Sequence, residues 1–239
     1  MAIPKRITPT RNTSKVSGGG RMRKRQERAE AKTEKAGARP CPLPPSRTGR
    51  RIPVQWREEV REILISQVQI ARRVAALAAQ IERDFKGREL VVVAVLNGTV
   101  LFLADLIRHL SLPLRLDFIG VSSYGAGTVS GEMILTKELR LDVRGRDVLL
   151  VDDILDTGRT LKRVLARLRE LRPRRIRICV LLEKKARRLE RVRADYTGFS
   201  IPDLFVVGYG LDFAERYRNL PFLAVLHSHV YETGSAETP

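Results

Sequence analysis

Apolar positions follow two rhythms along this chain, and the changes between them mark out the elements. LVVVAVL (90–96) and VLLV (148–151) are unbroken runs of β-formers. Such runs predict strands buried on both faces, as in a parallel sheet. VQIARRVAALAAQIERDF (68–85) places apolar residues at helical spacing, with Gly87 just beyond as a stop. The same spacing predicts helices over VLFLADLIRHL (100–110) and TLKRVLARLRELRP (160–173), the latter closed by Pro173. Further strands are predicted at EEVREILIS (58–66, short or at an edge), LRLDFIGVSS (114–123), ILTKEL (134–139), DVLLVDD (147–153) and RIRICVLLEK (175–184). The β-type runs DLFVVGYGLDF (203–213) and PFLAVLH (221–227) complete the set. Strands alternating with helices predict βαβ units and an α/β fold with a mostly parallel twisted sheet.

Residues 1–51 have neither rhythm. They contain GGG at 18–20, RMRKRQERAEAKTEK and PCPLPPSRTGRR, with too little apolar content to offset the entropy of ordering. The expected organisation is a disordered basic tail, 1–51, and one domain, 52–239. Of the formal charge of +18, the tail carries +12, from 15 Lys and Arg against 3 Glu. The domain is therefore only mildly basic. Three readings of the tail stay open: an anchor for nucleic acid or another anionic surface, a solvated extension, or translation that begins downstream at Met22. Cys41 and Cys179 show no disulfide framework or zinc spacing, and Cys179 lies in an apolar run. No stretch approaches the roughly 18–20 apolar residues of a membrane span. No signal core precedes the domain, so a soluble cytoplasmic protein is expected.

The most specific feature is VLLVDDILDTGRTL (148–161). Asp152 and Asp153 fall at the carboxyl end of a predicted central strand, where open α/β sheets bind ligands. The stretch Asp156-Thr157-Gly158-Arg159-Thr160 then turns into a helix. Successive amides in such a turn, with the helix dipole behind them, form an anion nest. Carboxylates facing a phosphate loop fit a phosphate that belongs to a sugar, whose hydroxyls they accept. The alternative, an Asp-rich turn capping a helix, does not account for the whole string.

This string resembles the phosphoribosyl-diphosphate (PRPP) motif of type I phosphoribosyltransferases. With VAVLNGTVLFLADLIRHL, SSYG, LLEKKARR and GFSIPDLFVVGYGLDFAERYRNLPF it is similar to the hypoxanthine-guanine branch, over roughly residues 58–229. The resemblance implies the type I fold, with a small hood built from N-terminal and C-terminal segments. It also implies transfer of the phosphoribosyl group from PRPP to hypoxanthine or guanine, giving IMP or GMP and pyrophosphate with Mg2+. Homodimers or homotetramers are common among such proteins.

Residue by residue, the resemblance gives Asp152 and Asp153 the ribose hydroxyls and a share of the metal, with Asp152 standing where members often have Glu. Asp156 would be the general acid/base at the purine's imidazole-ring nitrogen. Thr157, Gly158, Arg159 and Thr160 would cradle the 5-phosphate. Asn97 and Gly98, in a loop that often carries a non-proline cis peptide, would contact pyrophosphate with Arg218. Some members have Lys in place of Asn97. Lys184 would meet the 6-oxo group, Phe205 would stack on the purine, and Val206 would offer backbone contacts. Asp212 would help to hold magnesium. Ser123 and Tyr124 would begin a lid over the Gly-rich loop YGAGTVSGEM (124–133). By residue type alone, Lys184 could be a surface lysine, Phe205 a core residue, Asp212 a turn residue and the lid an ordinary hairpin loop. Tyr209, Phe213 and Tyr217 read as structural. A rival keeps the fold without the enzyme: a PRPP-sensing regulator that binds nucleic acid.

Overall fold

The unbroken apolar runs become the middle of a six-stranded sheet. A computed structural model of the chain describes residues 52–123 and 133–233. The basic segment 1–51, Tyr124 and all but the last residue of the Gly-rich loop lie outside them, as does the side chain of Ser123. The strands are β2 (Leu90–Leu96), β3 (Leu114–Ser123), β4 (Met133–Lys137), β5 (Asp147–Leu155), β6 (Arg175–Lys184) and β7 (Tyr196–Ile201). Their order is β4-β3-β2-β5-β6-β7. β4 runs antiparallel to β3, and every other pairing is parallel.

Side chains alternate across a strand, and β2 and β5 feed two separate cores. Leu90, Val92, Ala94, Leu149 and Val151 face α1 (Gln67–Asp84) and α2 (Val100–Arg108). Val91, Val93, Val148 and Leu150 face α3 (Arg159–Glu170). Both faces are therefore dry, which is why the sequence shows no polar alternation there. α1 opens with a capping box: the Gln69 amide donates to Ser66 Oγ, and the Ser66 amide donates to Gln69 Oε1 at 2.8 Å.

A second, antiparallel sheet of order β1-β9-β8 forms the expected hood. It joins β1 (Val60–Ile65) to β8 (Val206–Val207) and β9 (Leu223–Leu226), followed by α4 (Ser228–Thr233). Its own small core holds Val60, Val207, Tyr217, Leu220, Phe222, Ala224 and Leu226.

Three elements differ from expectation. The helix over 160–173 stops at Glu170, because the residue before a proline disfavours the helical region and Arg172 takes a φ of 53°. The β-type run over 203–213 yields only two strand residues, since Gly208 and Gly210 adopt φ of 97° and 102° and turn the chain. β7 was not expected. Its Gly198 lies so close to β6 that a Cβ would overlap the Leu181 carbonyl. Arg73 of α1 bonds the Thr197 and Gly198 carbonyls, at 2.5 and 2.7 Å. Among the described residues no helix is long and apolar enough to cross a membrane.

The end of β5 away from the acidic pair is fastened by ions. The Asp147 side chain is fully buried and accepts from Arg174 Nε at 3.0 Å and Arg88 Nη1 at 3.4 Å, with Arg175 Nε at 3.6 Å. Burial alone would raise the Asp147 carboxyl, but the Arg174 hydrogen bond and the arginine charges outweigh it and hold it below its ordinary value. A depressed carboxyl stabilises the fold above the unfolded carboxylate range, and that contribution disappears as pH falls through the folded value. Asp147→Asn should therefore cost about 1.5–3 kcal/mol at pH 7. Urea unfolding should show the deficit shrinking as the buffer is taken towards pH 3.

Candidate functional site

The turn after β5 is built on one residue that needs a left-handed backbone. Gly158 has φ 85° at the N-cap of α3, a conformation glycine adopts without steric cost. The amides of the first helical turn have no partner within the helix and carry the positive end of its dipole. The turn is clamped from behind. The Thr157 carbonyl accepts the amides of Leu189 and Glu190, both at 3.0 Å. Arg188 donates to the carbonyls of Asp156 (3.1 Å), Leu155 (3.2 Å) and Val192 (2.6 Å), and to Glu183 Oε1 at 3.2 Å. The cradle is thus held rigid by the segment that follows β6.

The acidic pair lies within β5 rather than beyond it, because the strand runs on to Leu155. Asp152 is buried and pairs with Val180 of β6. Thr99 Oγ1 and the Asp153 amide donate to Asp152 Oδ1 at 3.4 and 3.1 Å. The Ile154 amide donates to Asp153 Oδ1 at 2.7 Å. Burial, and then the neighbouring Asp153 carboxylate, push Asp152 well above its ordinary value. Burial also raises Asp153, against the Ile154 amide and the Arg218 charge. Two carboxylates in this state gain from any further hydrogen-bond donor or cation.

Two distant segments meet at this pair. The Leu96–Asn97 peptide bond is cis, as the resemblance implied. A Cβ on Gly98 would overlap Asp153 Oδ2, and a Cβ on Gly210 would overlap the Gly98 carbonyl. The hairpin carrying Gly210 is pinned at both ends. Tyr209 donates its hydroxyl to Asp105 of α2 at 2.6 Å, and Tyr217 donates to Glu59 beside β1 at 2.8 Å. Just past the second pin, Arg218 Nη2 lies 2.9 Å from Asp212 Oδ1 and 3.0 Å from Glu215 Oε2, while Nη1 donates to the Gly210 carbonyl at 3.0 Å.

Together these segments enclose a polar cavity of about 650 Å³. It lies between β2 and β5, where the order of strands reverses, the position at which open α/β sheets bind ligands. Of the residues singled out in the sequence, Asn97, Gly98, Asp152, Asp153, Asp156, Thr157, Gly158, Thr160, Asp212 and Arg218 line it. The Arg159 side chain is exposed, leaving its amide as the part that faces the turn. Lys184, Phe205 and Val206 do not line this cavity. Lys184 is buried at the end of β6, with Nζ 3.6 Å from Asp203 Oδ1. Phe205 is 39% exposed; its ring stacks on Tyr231 at 5.1 Å and meets Phe213 edge-on at 5.5 Å. Val206 is buried in β8. Among the described residues no three His, Cys, Asp or Glu side chains converge as a ready metal cluster. Asp152, Asp153 and Asp212 nevertheless share one cavity, which suits magnesium held by one or two carboxylates together with substrate oxygens.

Gly210, Glu215 and Arg188 also serve this site without a role expected from the sequence, and Thr99, which follows Asn97 and Gly98 in the loop expected to contact pyrophosphate, serves it through Asp152. Of the first three only Gly210, in GYG, carried a local signal; Arg188 and Thr99 act through contacts far apart along the chain.

The model for the phosphoribosyl transferase domain matches residues 61–214. The hypoxanthine-guanine phosphoribosyltransferase of Bacillus subtilis is 43% identical over 178 residues, 74% of this chain and 99% of the relative. The hypoxanthine phosphoribosyltransferase of Salmonella typhimurium is 44% identical over 165 residues, 68% of this chain and 93% of the relative. A crystal structure of a hypoxanthine-guanine phosphoribosyltransferase from Bacillus anthracis superimposes with a TM-score of 0.67 at 44% identity, covering 71% of this chain and 99% of that one. A hypoxanthine phosphoribosyltransferase from Staphylococcus aureus gives 0.71 at 40% identity, covering 75% and 97%.

The Gly98–Asp153 contact has a direct consequence. Gly98→Ala forces the carboxylate or the backbone to move, an overpacking that costs about 1–3 kcal/mol. Calorimetric titration with PRPP should show affinity reduced roughly fivefold to hundredfold. Circular dichroism should show the folded sheet retained.

Proposed function

The chain belongs to the phosphoribosyl transferase family, and we propose that it transfers the 5-phosphoribosyl group from PRPP to hypoxanthine or guanine, giving IMP or GMP and pyrophosphate. The observation that carries this reading is one cavity joining a clamped anion turn, the adjacent carboxylates of Asp152 and Asp153, and the Asp156 side chain. The relatives named above are transferases, and no feature of the site favours the regulator.

The surroundings of the cavity residues support their proposed roles, and the resemblance of the sequence supports those of Lys184, Phe205 and Val206. The amides of the turn, with the Thr157 and Thr160 hydroxyls, hold the 5-phosphate. Asp152 and Asp153 accept the ribose hydroxyls, which supply the donors this raised pair lacks. Asp156 Oδ1 is buried without a hydrogen-bond partner, the state of an acceptor awaiting a donor. It takes the proton from the purine's imidazole ring as the new bond to the ribose forms. Asn97, Gly98 and Arg218 receive the departing pyrophosphate. Asp212 and the acidic pair would hold magnesium together with PRPP oxygens, where the ion would supply positive charge to the leaving group. Lys184 donates to the 6-oxo group, Phe205 packs on the purine and Val206 supplies backbone contacts. An oxocarbenium-like ribose is easily lost to water, which is the reason for a lid beginning at Ser123 and Tyr124. A cytoplasmic location and a homodimer or homotetramer belong to the same proposal, as does the division into the tail 1–51 and the domain 52–239.

Steady-state pyrophosphate release with hypoxanthine, guanine, xanthine and adenine tests the reading. Turnover with hypoxanthine or guanine, and not with adenine, is expected. Asp156→Asn should lower kcat by roughly 10²–10⁴-fold; near wild-type turnover would remove the acid/base assignment. Lys184→Ala should erode the preference over adenine by about tenfold to hundredfold. An unchanged ratio of kcat/KM values would return Lys184 to a structural role.

A further inference from the structure

Two consecutive arginines follow β6, and they do different work. Arg188 is spent on the carbonyls of Leu155, Asp156 and Val192 and on Glu183. Arg187 is half exposed, and its Nη1 lies 3.5 Å from Asp156 Oδ2 and 3.8 Å from Asp203 Oδ1. Asp203 in turn lies 3.6 Å from Lys184 Nζ. An alternating chain of carboxylates and cations therefore runs from Asp156 through Arg187 and Asp203 to Lys184. Nothing in the phosphate turn or the acidic pair requires Arg187.

We propose that Arg187 is a positioning residue for the transfer reaction, holding Asp156 by Oδ2 so that Oδ1 is presented to the imidazole-ring nitrogen of the purine. The proposal rests on the acid/base reading of Asp156. A carboxylate on a turn can rotate about two bonds, and its two oxygens are chemically equivalent until one is engaged. Here they differ: Oδ2 has a cation, while Oδ1 is buried without a hydrogen-bond partner. Oδ2 faces the guanidinium, and Oδ1 is the oxygen left without a partner.

Asp203 has a part in this. When Asp156 takes up the purine proton it loses its charge, and its hold on the guanidinium weakens. The same Nη1 already faces Asp203, so the cation keeps a carboxylate partner throughout the step. Because Asp203 also faces Lys184, the proton acceptor and the proposed 6-oxo donor are tied into one frame. A purine presents its imidazole nitrogen and its 6-oxo group along one edge, so both must be aligned together for turnover.

A half-exposed ion pair adds little to stability, so variants at 187 should fold. Misplacement of a reacting group by about 1 Å can cost up to 10²-fold in rate. Arg187→Ala is therefore expected to lower kcat with hypoxanthine by about tenfold or more. KM for PRPP should stay within about twofold, because the clamped phosphate turn is untouched. Arg187→Lys, which restores a cation, should recover most of the loss. In an Asp156→Asn background, Arg187→Ala should cost nothing further, since the carboxylate it positions is gone.

An unchanged kcat in Arg187→Ala, an equal loss with and without the Asp156 carboxylate, or a lysine variant no better than alanine would each overturn the proposal. Failure of the underlying reading looks different. In that case the wild-type chain lacks turnover with hypoxanthine and guanine, or Asp156→Asn alone is unimpaired. If Asp156→Asn is impaired and Arg187→Ala is not, only the role of Arg187 falls.

Discussion

Two adjacent carboxylates, Asp152 buried and Asp153 half-buried, stand near the end of a central parallel strand, and the rest of the site is arranged around that unfavourable placement. Burying a charge is costly unless donors or opposite charges compensate. Here the compensation within the protein is partial: one hydroxyl from Thr99, the amides of Asp153 and Ile154, and the charge of Arg218. The remainder is left to a ligand. In the proposed reaction a sugar would supply neutral hydroxyl donors and a metal would supply charge, the partners from which raised carboxylates gain.

The second constraint is space. Asp153 can occupy its position only because residue 98 has no side chain, and the Gly98 carbonyl can occupy its own only because residue 210 has none. This stacking carries the hood's hairpin onto the end of the main sheet. It places Asp212 and Arg218 opposite the acidic pair, where they are paired with each other. The hood therefore does more than cover the sheet. Its Tyr209 and Tyr217 pins, to Asp105 and Glu59, fix the side of the cavity lined by Asp212, Glu215 and Arg218.

The two ends of β5 show the same chemistry used for opposite purposes. At Asp147, a buried carboxylate is surrounded by arginines and held below its ordinary value, which stabilises the fold. At Asp152 and Asp153, carboxylates are set side by side, and burial raises both above their ordinary values. At Asp156, Oδ2 faces the Arg187 guanidinium while Oδ1 is buried without a hydrogen-bond partner.

How much could be read beforehand follows from which contacts are local. The runs over 90–96 and 148–151 announced buried parallel strands because both faces of each are dry. The string 148–161 announced a phosphate turn because its strand, its left-handed glycine and its helix are neighbours in the chain. The sequence by itself thus determined the sheet and the anion cradle. It did not reveal β7, whose Gly198 makes sense only against Leu181, nor the end of α3, where a proline three residues on counted for more than helical spacing. It left Lys184 and Asp212 open, since a lysine beside other cations and an aspartate in a turn look ordinary until their partners are known. Thr99 reaches Asp152 across 53 positions, Arg188 reaches Asp156 across 32, and Arg187 meets both Asp156 and Asp203. Tertiary structure alone decided these contacts, because each joins groups that the backbone separates and only the packing of β2, β5 and β6 side by side brings within a hydrogen bond or an ion pair.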